Sequence, residues 1–357
     1  MTAPELALVL VGFGHVGRRF VRLLSEVADR LDFEWRVVAI STRQHGSVVD
    51  PDGVHVDRAL ALVESQQSLA RLDAEPQERS GLDVIRQTAR LLADEAADGR
   101  LVLVESTLLD IDRGEPALAH VRAALEGQMH VVTVNKGPAA FAYDEIESLA
   151  DSMDRVFFFE GAVMDGVPVF NLVRETMPAV RVEAFRGVIN TTANFVLSEL
   201  EHGTPFDQAV REMQARGIAE ADPSLDIDGW DAAAKASALV NVLMGGGITP
   251  HHVTRTGISD VRAGDVKAAL ASGRRIRLVA SARRQGRELV ARVEPELLAP
   301  DDPLAGMADT ANALYLTTDL LGEVGIVQRA GDLTQTAYAL LSDISRISLR
   351  LRDWTDR

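Results

Sequence analysis

The amino-acid sequence predicts an α/β protein that has a parallel-sheet domain and a second domain of the α+β class. Short, wholly apolar runs alternate with segments of helical periodicity in the first part of the chain, a pattern typical of βαβ units. A glycine-rich turn separates the first apolar run from the first helical segment. Further along, two runs of alternating polarity, 276–282 and 289–293, indicate an antiparallel hairpin, which belongs to a different kind of sheet.

Composition excludes several classes of protein. The 357 residues are enough for two domains. A formal net charge of −16 argues against binding to nucleic acid or to anionic membranes, since both attract basic surfaces. The absence of cysteine excludes disulfides, thiolate nucleophiles and cysteine-ligated zinc. No apolar run reaches the roughly 20 residues of a membrane span, and the N-terminal segment lacks the basic start of a signal peptide, so we expect a cytoplasmic protein.

The first apolar run, 6–11, is predicted to be a parallel strand that is buried on both faces. The motif G-x-G-x-x-G follows it directly and opens a segment of helical spacing. In this context the glycines allow a tight turn and bring a pyrophosphate close to the helix N-terminus, so a Rossmann-type dinucleotide site is predicted. The alternative is an ordinary strand–turn–helix that happens to contain glycines. The predicted cofactor contacts in the turn are Gly12, Gly14, His15, Val16 and Gly17.

A second predicted strand, 35–40, ends in Ser41, Thr42 and Arg43. A site for NAD would place a carboxylate here to bind the ribose 2′-hydroxyl, whereas an arginine favours the 2′-phosphate of NADP. NADP is therefore the expected cofactor and NAD the alternative, in which Arg43 faces solvent or stacks on the adenine. Residues 57–100 have a helical pattern and no recognisable chemistry.

Two more buried strands, 101–104 and 130–134, are predicted to end at the same ligand-facing edge of the parallel sheet. Ser106 and Thr107 follow the first of them, and Lys136 follows the second. Only three lysines occur among the 37 basic residues of the chain, which weakens the alternative that Lys136 is an ordinary surface lysine. We expect all three side chains to contact the cofactor.

A predicted strand over 156–160 ends in a carboxylate, and a glycine-bracketed loop over 161–168 follows it. Such a loop could present backbone carbonyls together with the Glu160 carboxylate to a hard monovalent cation. A strand over 182–189 then leads through the polar turn 190–194 into a helix.

The stretch 217–235 carries five carboxylates and then a lysine, Lys235. Asp231 lies four residues before Lys235 in an alanine-rich segment, so both side chains are predicted to lie on one face of a helix. The alternative is a solvated acidic loop followed by a surface ion pair. The apolar continuation of the helix over 236–244 and the scarcity of lysine favour a functional lysine, since lysine can transfer a proton and arginine cannot.

These motifs resemble the homoserine dehydrogenase family over nearly the whole chain. Segment 131–138 is similar to the family's V-V-T-A-N-K, and segment 160–168 is similar to E-A-x-V-x-x-G-x-P. The most specific match is 217–235, which looks like G-x-A-E-x-D-P followed by D-x-x-G-x-D-A-A-x-K. We expect the short form of the family, without an appended kinase domain or a regulatory amino-acid-binding domain.

The resemblance implies interconversion of L-homoserine and L-aspartate 4-semialdehyde by hydride transfer with a nicotinamide cofactor. It implies that Lys235 and Lys136 transfer the proton at the reacting oxygen and that Asp231 orients Lys235. Gly331 is an implied cofactor contact. The implied substrate contacts are Glu220, Asp222, Asp226 and Thr192. The implied ligands of a monovalent cation, usually sodium, are the Glu160 carboxylate and the backbone carbonyls of Val163, Asp165 and Val167.

The resemblance also implies the domain roles. A dinucleotide-binding domain is expected over 1–155 plus 311–357, and a substrate-binding, catalytic and dimerisation domain over 156–310. The mixed sheet of the second domain would supply the contact of a homodimer.

Three segments depart from the family pattern. The predicted cation loop carries Met164 and Asp165 where small residues are usual. The turn N-G-T-T-N is replaced by N-T-T-A-N over 190–194, and the loop G-x-G-A-G is replaced by V-Q-R-A-G over 327–331. Two alternative functions therefore stay open. One is a relative that acts on a related amino or hydroxy acid, and the other is a non-catalytic regulatory protein that binds NADP.

Overall fold

In the computed structural model the chain folds into two compact units. Unit 1 comprises Met1–Pro138, Ala142–Gly166 and Leu333–Arg357, and unit 2 comprises Ala139–Phe141 and Val167–Asp332. The structure describes residues 3–74, 76–215, 222–286 and 288–355.

Unit 1 is built around a six-stranded sheet that is parallel except for its edge strand β3. The strands run in the order β3-β2-β1-β4-β5-β6, with β1 next to β2 on one side and β4 on the other. The strands are β1 (Glu5–Val11), β2 (Glu34–Ser41), β3 (Ser47–Val49), β4 (Leu101–Glu105), β5 (His130–Thr133) and β6 (Phe157–Phe158). The helices are α1 (His15–Glu26), α2 (Val56–Glu64), α3 (Gly81–Leu91), α4 (Ala93–Ala97), α5 (Ala117–Glu126), α6 (Gly137–Ser152) and α13 (Leu333–Thr355), with 3-10 turns at Ala28–Arg30, Leu69–Arg71 and Glu160–Ala162.

The parallel register aligns the carboxyl ends of the central strands. Val11 pairs with Glu105, and Glu105 pairs with Thr133, so β1, β4 and β5 end side by side. The central strands are apolar and almost fully buried because α1 and α13 pack on the sheet. The residues that follow these strands are therefore delivered to one edge of the sheet.

Unit 2 contains a second six-stranded sheet, which is antiparallel except where β8 joins β10. The strands run in the order β12-β11-β7-β9-β10-β8. The strands are β7 (Val182–Val188), β8 (Thr254–Arg255), β9 (Arg275–Gln285), β10 (Glu288–Leu298), β11 (Asn312–Thr318) and β12 (Gly322–Gln328). The helices are α7 (Phe170–Thr176), α8 (Thr191–Glu201), α9 (Phe206–Ala215), α10 (Ser224–Ile227), α11 (Trp230–Met244) and α12 (Ala263–Ala271), with a 3-10 turn at Pro250–His252.

Helix α11 is the central helix of unit 2, and ten of its fifteen residues are buried. Alanine side chains let the helix pack closely without losing side-chain entropy. The helix begins after Gly229 and ends before Gly245, and both glycines have a left-handed backbone that other residues rarely adopt. Its start is thus sharply defined, directly before Asp231.

The α/β fold class and the two predicted sheets are confirmed, and the predicted hairpin is present as β9 and β10. The predicted domain boundaries differ from the observed units. Strand β11 pairs with β7 and β12 pairs with β11, so residues up to Asp332 belong to unit 2 instead of the first domain. The turn at Glu160–Ala162 stays in unit 1, because the Glu160 backbone N–H donates to Asp343 on α13 at 3.0 Å.

Within the described ranges, none of the helices combines the length and the apolar character needed to cross a membrane.

His130 on β5 makes the stability of unit 1 depend on pH. Its Nδ1 accepts a hydrogen bond from the Val156 backbone N–H at 3.1 Å, and burial, together with Arg155 and Arg350, lowers the pKa of His130 to about 3. The unfolded chain binds this proton below its ordinary pKa of 6.5, whereas the folded chain binds it only near pH 3. The contribution of His130 to stability is therefore fully present above pH 6.5 and is lost as the pH falls toward 3.

We expect the variant His130→Gln to reduce the pH dependence of stability. In the wild type, protonation of His130 should lower the free energy of unfolding by ~1.4 kcal/mol per pH unit as the pH falls from 6.5 toward 3. Urea unfolding at a series of pH values measures the slope. The exposed His55 supplies a matched control, His55→Gln, which should leave the slope unchanged. An equal slope in His130→Gln and wild type would contradict the expectation.

Candidate active site

The glycine-rich turn between β1 and α1 has the shape that a dinucleotide site requires. Gly12 has φ +93°, and a Cβ atom there would lie 2.5 Å from the Ser106 carbonyl oxygen. A Cβ atom on Gly17 would lie 2.6 Å from the Gly12 carbonyl oxygen, so both positions need glycine for close packing. A Cβ atom on Gly14 would meet no atom within 4 Å. Gly14 therefore leaves open space at the N-terminus of α1, where a phosphate binds most readily.

The other predicted contacts around this turn have distinct surroundings. His15 and Val16 form the first turn of α1, where His15 is exposed and Val16 is half-buried. The Ser106 hydroxyl donates to the Gly12 carbonyl at 2.8 Å and so fastens the end of β4 to the glycine turn. Arg43 is exposed in the turn between β2 and β3. This turn is closed by Thr42, whose backbone N–H and hydroxyl donate to the Gly46 carbonyl at 2.9 and 3.1 Å.

A fully buried carboxylate, Glu105, organises the end of β4. One oxygen accepts hydrogen bonds from the Thr107 backbone N–H, at 3.1 Å, and from the Thr107 hydroxyl. The other oxygen accepts from the Thr133 hydroxyl on β5 at 2.9 Å. His120 lies beside it, with Nδ1 3.6 Å from the carboxylate. A buried carboxylate needs such partners, and they in turn hold Thr107 at the end of the strand.

Asn135 extends this network to the start of α6. Its Nδ2 donates to the carbonyls of Thr107 and Leu108 at 3.0 and 3.1 Å, and its Oδ1 accepts from the Gly137 backbone N–H at 2.8 Å. Lys136 lies between Asn135 and Gly137, which are hydrogen-bonded to each other. It is half-buried and directly precedes α6. The structure therefore brings Ser106, Thr107 and Lys136 to one edge of the unit 1 sheet.

The predicted lysine–carboxylate pair is present on α11. Lys235 Nζ lies 3.0 Å from Asp231 Oδ2, and both side chains are 13% exposed. Lys235 Nζ also donates to the Ile189 carbonyl at 2.8 Å. Ile189 lies between β7 and α8, so the ammonium is held from two different elements of unit 2.

Asn190 joins this pair to a second carboxylate, Asp226. Its Nδ2 donates to Asp226 Oδ1 at 2.7 Å and to Asp231 Oδ2 at 2.8 Å. Its Oδ1 accepts from the Ala193 backbone N–H at 2.7 Å and so caps the N-terminus of α8. One amide therefore binds two carboxylates and starts a helix.

The proximity of the two carboxylates affects their ionisation. Burial raises the pKa of Asp226 above its ordinary value, and the charge of Asp231 raises it further. Hydrogen bonds from Asn190 and Thr192 and the charge of Lys235 oppose the rise. Asp226 thus takes up a proton more readily than an isolated carboxyl, whereas a cation placed beside it favours its charged form.

The remaining predicted substrate residues fall in three different situations. Thr192 is buried in the first turn of α8. Asp222 is exposed, and its side chain accepts from the Ser224 backbone N–H at 3.0 Å near the start of α10. Glu220 lies outside the described residues.

The predicted cation ligands Glu160, Val163 and Asp165 belong to unit 1, whereas Val167 belongs to unit 2. Glu160 and Val163 are buried. Asp165 has φ +49°, and its side chain accepts from the Thr336 hydroxyl at 3.0 Å. In the described part of the chain, no three His, Cys, Asp or Glu side chains cluster as a metal site would require.

Sequence reasoning did not select Asn190, Ile189 or Asn135 as site residues. Asn190 has a recognisable signal, since an asparagine between a strand and a helix is a preferred N-cap. Ile189 contributes only a backbone carbonyl, which no sequence pattern marks. Asn135 directly precedes Lys136 and has no signal of its own in the sequence. Gly331, the last predicted cofactor contact, follows β12 in unit 2.

Known proteins that resemble this chain place it in a family. The family model described as homoserine dehydrogenase matches residues 168–345. The NAD(+)-dependent homoserine dehydrogenase of Pseudomonas canavaninivorans is 35% identical to the chain over 348 residues, which is 96% of both proteins. The chain belongs to the homoserine dehydrogenase family.

Two further comparisons with homoserine dehydrogenases agree. The enzyme of Methanocaldococcus jannaschii is 34% identical over 95% of this chain and 98% of its own length. The structure of a hyperthermophilic archaeal homoserine dehydrogenase in complex with NADPH has a TM-score of 0.78 and 28% identity, covering 97% of this chain and 98% of that one. The predicted family is thus confirmed.

Asn190→Ala should destabilise the protein more than the loss of a helix cap alone. The variant removes the cap of α8 and leaves two partly buried carboxylates without their shared donor, so we expect a loss of about 2–4 kcal/mol in the free energy of unfolding. Denaturant unfolding with a helix-sensitive signal measures it.

The matched control is Ser80→Ala, since the Ser80 hydroxyl accepts from the Asp83 backbone N–H at 3.2 Å, donates to the Asp83 carboxylate at 2.6 Å and bonds only within the capping box of α3. This control should lose about 1 kcal/mol. Equal losses in the two variants would show that the carboxylate bridge contributes nothing.

Proposed function

We propose that this protein interconverts L-homoserine and L-aspartate 4-semialdehyde with a nicotinamide dinucleotide. The observation that carries the proposal is the Lys235–Asp231 pair, 3.0 Å apart on α11 and bound to the β7–α8 turn through Ile189. The pair lies in a chain of the homoserine dehydrogenase family that also has the glycine turn of a dinucleotide site.

The arrangement suits Lys235 to proton transfer at the reacting oxygen. A lysine ammonium has three N–H donors, and among the described residues Asp231 and Ile189 accept two of them. The third can be directed to the substrate oxygen. A bound nicotinamide supplies or accepts the hydride at the carbon atom. When the aldehyde is reduced, Lys235 polarises the carbonyl and donates its proton to the oxygen, and when the alcohol is oxidised the neutral amine takes that proton back.

The acidic residues near Lys235 suit a substrate that carries a free ammonium group. Asp226 is proposed to bind this ammonium, because a nearby cation favours the charged form of a carboxyl whose pKa is raised. Thr192 is proposed as a hydrogen-bonding contact to the substrate. From the family resemblance, Asp222 and Glu220 are proposed as further contacts.

We propose NADP as the preferred cofactor. Arg43 follows β2, where an NAD site would have a carboxylate, and it is exposed and accessible to a 2′-phosphate. The residues of the glycine turn fit a dinucleotide, since Gly14 leaves open space at the N-terminus of α1. NAD is the alternative, since the relative from Pseudomonas canavaninivorans is described as NAD(+)-dependent. The proposed contacts are Gly12, Gly14, His15, Val16, Gly17, Arg43, Ser106, Thr107, Lys136 and Gly331.

Three further proposals rest on the family resemblance, and a fourth concerns the compartment. Lys136 is proposed as a second lysine in proton transfer. A monovalent cation, sodium in the first instance, is proposed to bind Glu160 and the carbonyls of Val163, Asp165 and Val167. The protein is proposed to be a homodimer that contacts its partner through the unit 2 sheet. The proposed compartment is the cytoplasm.

A second candidate substrate is a related amino or hydroxy acid. The turn that contains Thr192 has Thr191 and Ala193 where the family pattern has glycine and threonine, which changes the side chains next to the proposed substrate. A panel of such acids with NADP⁺ and NAD⁺ separates this candidate from homoserine.

Lys235→Ala should abolish turnover and leave cofactor binding nearly unchanged, because the variant removes the proposed proton donor and retains the glycine turn. Lys235→Arg should also be inactive, since arginine keeps the charge and does not release a proton. The assays are NADPH oxidation with L-aspartate 4-semialdehyde and NADPH binding by fluorescence. The exposed Lys267 on α12 gives the control, Lys267→Ala, which should match wild type. Wild-type kcat in Lys235→Ala would refute the role of Lys235.

Arg43→Ala should weaken NADPH binding about tenfold or more and change NADH binding little, because only NADPH has the 2′-phosphate that a guanidinium binds. Titration of the protein with each nucleotide gives both dissociation constants. The exposed Arg90 on α3 provides a control, Arg90→Ala, for the general loss of one positive charge. Equal weakening of both nucleotides would remove the basis for preferring NADP.

A further inference from the structure

A buried amide connects two of the segments in which this chain departs from the family pattern. Asn312, the first residue of β11, donates from Nδ2 to the Thr191 hydroxyl at 3.0 Å. The same Nδ2 donates to Gln328 Oε1 at 3.4 Å. Thr191 belongs to the turn 190–194, and Gln328 belongs to the loop 327–331. One hydrogen-bonded path therefore joins Thr191, which replaces a glycine of the family pattern, to Gln328, which lies between the two replaced loop positions, Val327 and Arg329.

The two amides of the path are buried, whereas Thr191 is half-buried. Asn312 is 2% exposed, and Gln328 is 6% exposed. An amide at such a position loses its hydration on folding, so each N–H needs an acceptor in the protein. Thr191 supplies one acceptor and Gln328 supplies the other. Glycine, which the family pattern has in place of Thr191, could not accept from Asn312 through a side chain.

The same turn holds the proposed proton donor on its other side. Ile189 and Asn190, which directly precede Thr191, bind Lys235 Nζ and Asp231 Oδ2 at 2.8 Å each. A displacement of the turn would therefore move both partners of the Lys235–Asp231 pair. Because the turn is only a few residues long, a contact to Thr191 acts directly on the position of its neighbours.

A second amide fastens α8 to the segment that precedes β11. Asn194 Nδ2 donates to the Asp309 and Ala311 carbonyls at 3.2 and 3.0 Å, and the Ser198 hydroxyl accepts from the Asp309 backbone N–H at 3.0 Å. These bonds hold the body of the helix. Asn312 instead reaches Thr191, the first residue of the helix, so its effect is on the turn itself.

We propose that Thr191 and Asn312 are positioning residues that fix the β7–α8 turn, and through it the orientation of Lys235. The inference rests on the proposed function of Lys235. In this chain the side chain of Thr191 supplies a restraint that a glycine at this position cannot provide. The altered turn thus acts on proton transfer through its contact with Asn312, which also binds Gln328.

Two variants of Thr191 test the proposal. Thr191→Val keeps the shape of the side chain and removes the acceptor, whereas Thr191→Ser keeps the acceptor. We expect Thr191→Val to lower kcat for homoserine oxidation about tenfold, because an unsatisfied buried donor displaces the turn. The dissociation constant of NADPH should stay within about twofold of wild type. We expect Thr191→Ser to restore kcat to near the wild-type value.

A control separates positioning from general stability. Thr318, at the opposite end of β11, is buried, and its hydroxyl donates to the Gly322 carbonyl at 2.9 Å. Thr318→Val should lower the melting temperature and leave kcat unchanged.

Three results would overturn the proposal: wild-type kcat in Thr191→Val, an equal loss of kcat in Thr318→Val, or a loss in Thr191→Val that Thr191→Ser does not restore. Absence of turnover in the wild-type protein would instead refute the proposed function, and with it this inference.

Discussion

The ion pair between Lys235 and Asp231 is the interaction on which the arrangement of unit 2 depends. Both side chains are 13% exposed, and a charge in such a position is unfavourable unless hydrogen-bond partners replace the lost water. The partners come from elements that are distant in sequence. Ile189 contributes a carbonyl from the end of β7, and Asn190 binds Asp231 from the same turn. The alanine-rich packing of α11 and the left-handed Gly229 before it bring the helix start close to that turn. The packing of α11 against the β7–α8 turn therefore forms the fold of unit 2 and the candidate site together.

The second carboxylate in this cluster has a different role from the first. Asp231 is paired with an ammonium, whereas Asp226 lies beside Asp231 and has a raised pKa. Two carboxylates held by one amide are costly unless a positive charge is close to each of them. Lys235 forms the ion pair with Asp231, and a substrate ammonium would pair with Asp226. In the proposed function, the substrate ammonium supplies this second positive charge.

Unit 1 has a similar network of buried hydrogen bonds at the edge of its parallel sheet. The buried Glu105 carboxylate accepts hydrogen bonds from Thr107 and Thr133, and Asn135 continues the network to the start of α6. Each of these residues ends or directly follows a strand. The parallel register of the strands therefore places them side by side at one edge of the sheet. In both units a polar side chain that is itself well buried holds the groups proposed to contact ligands.

The sequence by itself determined the features that depend on neighbouring residues. Apolar runs and helical spacing predicted the two sheets, the glycine spacing predicted the turn before α1, and the interval between Asp231 and Lys235 predicted their contact within one helix. Tertiary structure alone decided what surrounds them. Asn190 meets Asp226 and Asp231 across 36 and 41 residues, and Asn312 meets Thr191 across 121, so no local pattern could indicate these pairs. Strand β12 and the true end of unit 2 were likewise decided by pairing with distant strands. The physical reason is that periodicity reports which face of an element is buried, whereas a hydrogen bond between elements depends on how the whole chain packs.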